Sequence, residues 1–292
     1  MSNLLKRAIA GAVYVIVVSI CLYLGSFYWL GLMSIFLLIA LYEFFKPLAI
    51  DRNSMERTVK CGLIFIWFLA IATYHYYAQG VFSDSHFLAL PLGYFAYFLL
   101  LIPLVFLLVV IEISKGAEAK FGNAQVYIFA LIYLGMGFLS LAFLRHDVLI
   151  VKEQSQSLIF AFACLAGVWV SDTFAYIFGK FFGKNKMTPI SPNKTWEGLV
   201  GGMLLTAIFE LLFLTYYNDV ALWYDAVIYG FLLSIVSTFG DLFQSLWKRS
   251  LGLKDSGKLI PGHGGILDRI DSQLLAAPFT IAFWAFIHNF FV

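Results

Sequence analysis

Long apolar runs dominate this chain, and short polar stretches separate them. Nine such segments stand out, at about 8–25, 27–45, 61–78, 87–111, 123–144, 157–179, 197–217, 224–247 and 272–291. Each is close to the roughly 20 apolar residues that carry a helix across a bilayer. The pattern predicts an all-α, polytopic transmembrane protein with about nine spans. The connections are short, so no separate soluble domain is expected, and neither an internal repeat nor a low-complexity linker is visible. The chain divides by its spans into 1–120 (spans 1–4), 121–196 (spans 5–6 with a polar loop) and 197–292 (spans 7–9).

Composition narrows the class further. Hydrophobic residues make up 62% of the chain and charged residues only 12%, about half the charge of a soluble domain. A net charge of +2 is too small to point to a nucleic-acid partner. Cys21, Cys61 and Cys164 fall in apolar runs without CxxC spacing and read as small buried hydrophobes. Lys6-Arg7 before an apolar run resembles a signal sequence. No small-residue cleavage site follows and a second span comes soon after, so a retained first helix is expected.

The basic residues set the orientation. With nine spans, the N-terminus and the loops after spans 2, 4, 6 and 8 share one side, and 17 of the 19 lysines and arginines lie there. Only Arg145 and Lys152 lie opposite. The positive-inside rule makes the N-terminus cytoplasmic and the C-terminus not.

Two acids sit where charge is expensive. Asp172 lies eight residues before Lys180 in span 6, and Asp241 seven before Lys248 in span 8. At 1.5 Å per residue both carboxylates are expected about 10–12 Å below the cytoplasmic helix ends. An intramembrane carboxylate must be paired, hydrated or metal-bound, which makes it a candidate functional group; the alternative is a neutralised acid in a helix–helix contact. Ser237, Asp241, Ser245 and Lys248 recur at helical spacing and are expected on one face. Such a face suits a divalent cation on oxygen ligands with an anionic substrate on the lysine side. Glu210, in the outer half of span 7 and far from the other charges, is expected to make a structural hydrogen bond.

The loop before span 7 reads GKFFGKNKMTPISPNKTWEGLVGG from Gly179 to Gly202. Lys180, Lys184 and Lys186 fit ordinary positive-inside bias. Ser191, Lys194 and Thr195, just ahead of a helix start, are candidates for binding phosphate oxygens. Gly198 and Gly202 form a small-xxx-small pair that predicts close packing of span 7 on a neighbour.

The segment from Ser245 to Asp271 reads SLWKRSLGLKDSGKLIPGHGGILDRID. Cations precede a Pro261-Gly262-His263-Gly264-Gly265 turn, and Asp268, Arg269 and Asp271 follow it. Glycines let a backbone come close to a phosphate. Two acids at the start of a helix also complement its dipole, but that leaves the glycine turn, the histidine and the flanking cations unexplained.

This segment matches the signature S-x-x-K-R-x4-K-D-x-G-x2-I-P-x-H-G-G-x2-D-R-x-D and resembles the phosphatidate cytidylyltransferase (CDP-diacylglycerol synthase) family. The resemblance extends to Gly240-Asp241, Ser171-Asp172 and the Ser-Pro-x-Lys-Thr-x-Glu-Gly run at 191–198. By motif it covers about the C-terminal 40% of the chain. Gln244 stands where the family often has Glu, and Trp247 where an aliphatic residue is usual. The resemblance implies transfer of the cytidylyl group of CTP to phosphatidic acid, with Mg²⁺ required and room for a second cation, in phospholipid biosynthesis at the inner cell membrane. It also implies roles. Asp241 and Asp268 are the principal metal ligands, with Asp172 completing that site or ordering its water. Lys194, Lys248, Arg249 and Lys254 bind phosphate, helped by Ser191, Thr195, Ser245, Gly264, Gly265 and Arg269. His263 is a candidate proton shuttle, or a turn-stabilising or phosphate-binding residue. The expected partners are the two substrates and the bilayer, and a homodimer is allowed.

Two other functions fit parts of the pattern. A CTP-dependent lipid-alcohol kinase shares some motifs but would release CDP instead of pyrophosphate. An ion-coupled transporter explains buried acids, but predicts pathway charges in both membrane halves and an internal repeat.

Overall fold

The computed structural model describes residues 3–48, 54–81, 101–111, 121–145, 154–217, 221–259 and 264–291. Among them every element is helical: α1 (Asn3–Leu24), α2 (Ser26–Phe45), α3 (Ser54–Val81), α4 (Leu101–Ile111), α5 (Phe121–Ala130), α6 (Gly137–Leu144), α7 (Gln154–Phe182), α8 (Trp196–Tyr216), α9 (Trp223–Ser250) and α10 (Leu267–Phe291). A π-helical segment, Leu131–Met136, joins α5 to α6 without a break. Seven helices are long and apolar enough to cross a membrane, and shorter apolar stretches occur at Ile9–Leu24 and Leu101–Ile111. These nine match the nine expected segments in order, with ends that move by several residues; residues 87–100 of the fourth lie outside the described residues.

The parity of the helix ends follows the predicted threading. At one end, Glu43 near the end of α2 binds the start of α10, and Phe44 stacks on Trp247 near the end of α9, 4.9 Å between ring centroids. Lys60 in the first turns of α3 lies over Tyr127 of α5, 4.3 Å from the ring centroid. Since α3 and α5 both start at this end, the chain must cross back before residue 121, and α4 is the apolar helix between them. At the opposite end Arg145 donates from Nε to the Leu22 carbonyl (2.9 Å) and from a terminal nitrogen to Ser157 Oγ (3.0 Å). One guanidinium thereby ties together the ends of α1 and α6 and the start of α7.

Inside the bundle, shape and a few polar links take over from hydrophobicity, because lipid tails are as apolar as the core. The Gly198–Gly202 pair lets α8 press against α7: a Cβ on Gly198 would lie 2.6 Å from the Ala175 carbonyl oxygen, and one on Gly202 3.0 Å from that of Ser171. Ser171 and Ser234 link α7 to α9 through a 2.7 Å hydroxyl pair, and Tyr229 pairs with Thr280 across α9 and α10 at 2.9 Å. Pro278 cannot donate to the Leu274 carbonyl, and Gly137 of α6 packs on that loosened turn.

Glu210 departs from expectation. Both its oxygens are buried without a hydrogen-bond partner among the described residues. The neighbouring helix presents Gly167 to it, which has no side chain to donate.

The packing yields two tests. Gly202→Leu should wedge α7 from α8, cost about 1–3 kcal/mol as overpacking does, and lower the unfolding temperature in detergent. A reporter fused after Val292 should be accessible from the side opposite one fused before α1; access from the same side would remove a span from the count.

Candidate active site

α7, α8, α9 and α10 pack in sequence, and their motif-bearing ends meet at the end of the bundle marked by Glu43. A cavity of about 240 Å³ opens there, lined by Asp172, Asp241, Lys248, Asp255, Asp268, Arg269, Asp271 and Ser272. Five carboxylates and two cations thus face one space. Gly240 lets two of the walls approach: a Cβ there would lie 3.0 Å from the Asp271 carbonyl oxygen, so α9 and α10 touch backbone to backbone beside the acids.

Two ion pairs order the walls. Lys194, in the loop before α8, reaches Asp241 Oδ2 at 2.8 Å. The same ammonium lies 3.4 Å from the Thr238 carbonyl, and Ser245 donates to Asp241 Oδ1 at 3.2 Å. The Ser245 contact realises the helix-face spacing read from the sequence. Lys248 pairs with Asp268 Oδ1 at 2.7 Å, with side chains only 9% and 4% exposed. The second oxygen of Asp268 accepts from the backbone N–H of Ser256 (2.8 Å) and of Gly265 (3.0 Å). Asp268 therefore closes the base of the loop between α9 and α10, which Gly264 turns with a φ of +81° that suits glycine.

Two polar atoms on this wall are unsatisfied. Arg269 Nε and Ser272 Oγ are buried without a hydrogen-bond partner among the described residues. A buried donor that faces a cavity is costly unless something binds it, and a guanidinium beside a hydroxyl suits an anion's oxygens.

The expected site residues do not all meet in the cavity. Asp172, Asp241, Asp268, Lys248 and Arg269 line the cavity, and Lys194 and Ser245 bind Asp241. Thr195 instead caps α8, accepting the Gly198 N–H at 3.1 Å, and is buried; Ser191 accepts the Lys194 N–H through its carbonyl in the preceding turn. Arg249 donates to the Leu253 carbonyl at 2.7 Å on an exposed surface, and Lys254 is exposed outside the cavity lining. His263 lies outside the described residues.

Four residues escaped the sequence reading. Asp255 sits in the Lys-Asp pair of the signature, and Asp271, named there among the residues after the glycine turn, received no role. Ser272, one residue past the signature's end, carried no signal. Glu43 is the fourth: the residue is 4% exposed, and its carboxylate accepts from Ser256 Oγ and from the N–H groups of Ile266 and Leu267. It is the one acid in the second apolar segment, so the rule that singled out Asp172 and Asp241 applied to it equally. Gln244 is also explained. It donates to the Leu267 carbonyl at 2.9 Å and accepts from Tyr133, which the π-helical segment carries, at 3.4 Å. A neutral amide supplies both a donor and an acceptor there.

The donor set suits a hard cation. Asp172, Asp241 and Asp271 offer carboxylate oxygens to one cavity, the ligand type that Mg²⁺ takes. Among the described residues no three His, Cys, Asp or Glu side chains form a ready-made metal cluster; in this arrangement the lysines neutralise two of the acids. Asp268 is the least available ligand, since it accepts three hydrogen bonds, two of them from backbone N–H groups.

A phosphatidate cytidylyltransferase of Staphylococcus saprophyticus is 39% identical over 180 residues, 61% of this chain and 65% of that protein. One from Haemophilus influenzae is 44% identical over 126 residues, 41% of this chain and 43% of that protein. One from Staphylococcus aureus is 35% identical over 182 residues. The aligned part thus spans a little under two-thirds of the length of the staphylococcal relatives. Residues 5–287, nearly the whole chain, match the pattern of the cytidylyltransferase family, and the chain belongs to that family.

Proposed function

We propose that this protein transfers the cytidylyl group of CTP to phosphatidic acid, giving CDP-diacylglycerol and pyrophosphate. The observation that carries the reading is the cavity where Asp172, Asp241 and Asp271 meet Lys194, Lys248 and Arg269 at one end of the bundle. The depth expected for Asp172 and Asp241, about 10–12 Å below the helix ends, suits a lipid whose phosphate stays at the interface while its acyl chains remain in the bilayer. The 17 of 19 basic residues on that side of the predicted threading support a cytoplasmic active site in the inner cell membrane, where CTP is available. The relatives, themselves phosphatidate cytidylyltransferases by name, favour the same substrates.

In this mechanism a phosphate oxygen of the lipid attacks the α-phosphorus of CTP. The bond from the α-phosphorus to the bridging oxygen breaks, and pyrophosphate leaves with that electron pair. A phosphate monoester near neutral pH is already a nucleophile, so no protein base is required. The side chains act by positioning and by neutralising charge. Lys194 and Lys248 each hold a carboxylate within reach of the cavity, so arriving phosphates meet ammonium groups already in place. Arg269 Nε and Ser272 Oγ supply donors that are unsatisfied among the described residues. Asp172, Asp241 and Asp271 would hold Mg²⁺, which when bound withdraws charge from the phosphate oxygens and stabilises the leaving pyrophosphate. Asp268 contributes by fixing Lys248 and the loop.

Pyrophosphate release from CTP by the detergent-solubilised protein, with and without phosphatidic acid, tests the reaction. Release that requires the lipid is expected; CDP together with a phosphorylated lipid alcohol would sink the reading. Asp241→Asn should lower turnover by about 10²–10³-fold, as loss of a preorganised charge in a water-poor site does, while leaving helix content and membrane insertion unchanged. Near-normal turnover would remove Asp241 from the site.

A further inference from the structure

The loop between α9 and α10 carries much of the signature, yet it is held by a side chain from the far N-terminal part of the chain. Glu43 of α2 uses both carboxylate oxygens. Oε2 accepts from Ser256 Oγ at 3.0 Å and from the Leu267 N–H at 2.9 Å, and Oε1 accepts from the Ile266 N–H at 3.1 Å. Its surroundings are shaped to fit it: a Cβ added at Gly257 or at Gly265 would overlap the Glu43 carboxylate. Ser256 lies where the loop leaves α9, and Ile266 and Leu267 lie where α10 begins, so one carboxylate spans both feet of the loop.

Asp268 spans the same feet from inside the cavity, through the N–H groups of Ser256 and Gly265. Ser256 is shared, giving its N–H to Asp268 and its hydroxyl to Glu43. Glu43 does not line the cavity, so it touches nothing that reacts. We infer that Glu43 is a positioning residue: by clamping both feet of the loop it fixes the direction in which Asp268, and through it Lys248, face the cavity. The reaction it serves is the cytidylyl transfer proposed above; the clamp itself stands on geometry alone.

The chemistry calls for a carboxylate. Three donors converge on it, two of them the backbone N–H groups of Ile266 and Leu267 at the N-terminal end of α10, where the helix dipole also favours an anion. In glutamine one oxygen becomes an NH₂ group and meets a donor instead of accepting from it. Removing an outer group that orients a site commonly costs about 10- to 100-fold in activity. A merely structural contact between α2 and α10 would behave differently, lowering stability while each folded molecule turned over normally.

Purified Glu43→Gln and Glu43→Asp in detergent separate these cases through unfolding temperature, steady-state kinetics and amide hydrogen exchange. Glu43→Gln is expected to lose about 10- to 100-fold in kcat with KM for CTP and for phosphatidic acid changed by less than about threefold, because orientation matters most in the transition state. Amides at Ser256 and at Gly265–Leu267 should exchange at least about tenfold faster, while those of α3 stay unchanged. Glu43→Asp, which keeps the charge on a shorter stem, should recover part of the kcat. A kcat for Glu43→Gln within about twofold of the unsubstituted protein, or a lowered unfolding temperature with normal kcat per folded molecule, overturns the inference. If Glu43→Gln does not fold, Ser256→Ala decides: reduced kcat at an unchanged unfolding temperature supports the clamp, and unchanged kcat overturns it. If the unsubstituted protein releases no pyrophosphate from CTP and phosphatidic acid, the proposed reaction fails, and the exchange measurement still decides the clamp. Deprotection confined to the feet of the loop supports it, and unchanged protection overturns it.

Discussion

The Lys248–Asp268 ion pair is the contact on which the arrangement of this end of the bundle depends. Both side chains are almost wholly buried, and a buried charge without its partner costs about 3–5 kcal/mol. The pair is tolerable because Asp268 also accepts two backbone N–H groups, so its desolvated oxygens are saturated. That saturation ties α9, which carries Lys248, to the first turn of α10 and to the loop between them. With α9 and α10 fixed, Asp241 on one and Asp271 on the other must line the same space. Lys194 can then close the remaining side from the loop before α8.

The same reasoning separates acids that hold the protein together from acids that can act on a ligand. Asp268 has no oxygen to spare, and neither has Glu43. Asp172 is exposed, Asp241 is held by one ammonium and one hydroxyl, both from side chains, and Asp271 lines the cavity. A cation or a phosphate entering the cavity has to trade against the second group, because only there can existing contacts be exchanged without opening the fold. The sequence alone gives Asp241 and Asp268 the same standing, since the resemblance implies metal binding for both; their hydrogen-bond partners distinguish them.

Much of the architecture was legible because a bilayer makes strong demands. Nine apolar runs and a lopsided distribution of basic residues leave little freedom in the threading, and the contacts of Lys60 with Tyr127 and of Arg145 with Leu22 fall at the ends that this threading requires. The cavity walls were legible for a similar reason: Asp172, Asp241 and Lys248 are charges that an apolar environment tolerates only with partners. What stayed hidden were the partners themselves. Thr195 looks like a phosphate ligand until its oxygen is seen capping α8, because the residue types that cap helices are those that bind phosphates. Arg249 follows Lys248 directly, but neighbouring positions on a helix face different ways, and it ends on the exposed surface.

Glu43 shows why the N-terminal spans look anonymous in sequence and are not interchangeable in structure. A helix that only filled space beside lipid would need apolar residues of suitable size. α2 also has to deliver a carboxylate to a point fixed by Ser256, Ile266 and Leu267, more than 200 positions along the chain, while Phe44 lies flat against Trp247. The stack and the carboxylate lie on consecutive residues, so any rotation of α2 that relieved one would break the other. This double constraint sets the register of α2 against α9 and α10, and it makes the geometry of the C-terminal motif a property of both halves of the bundle.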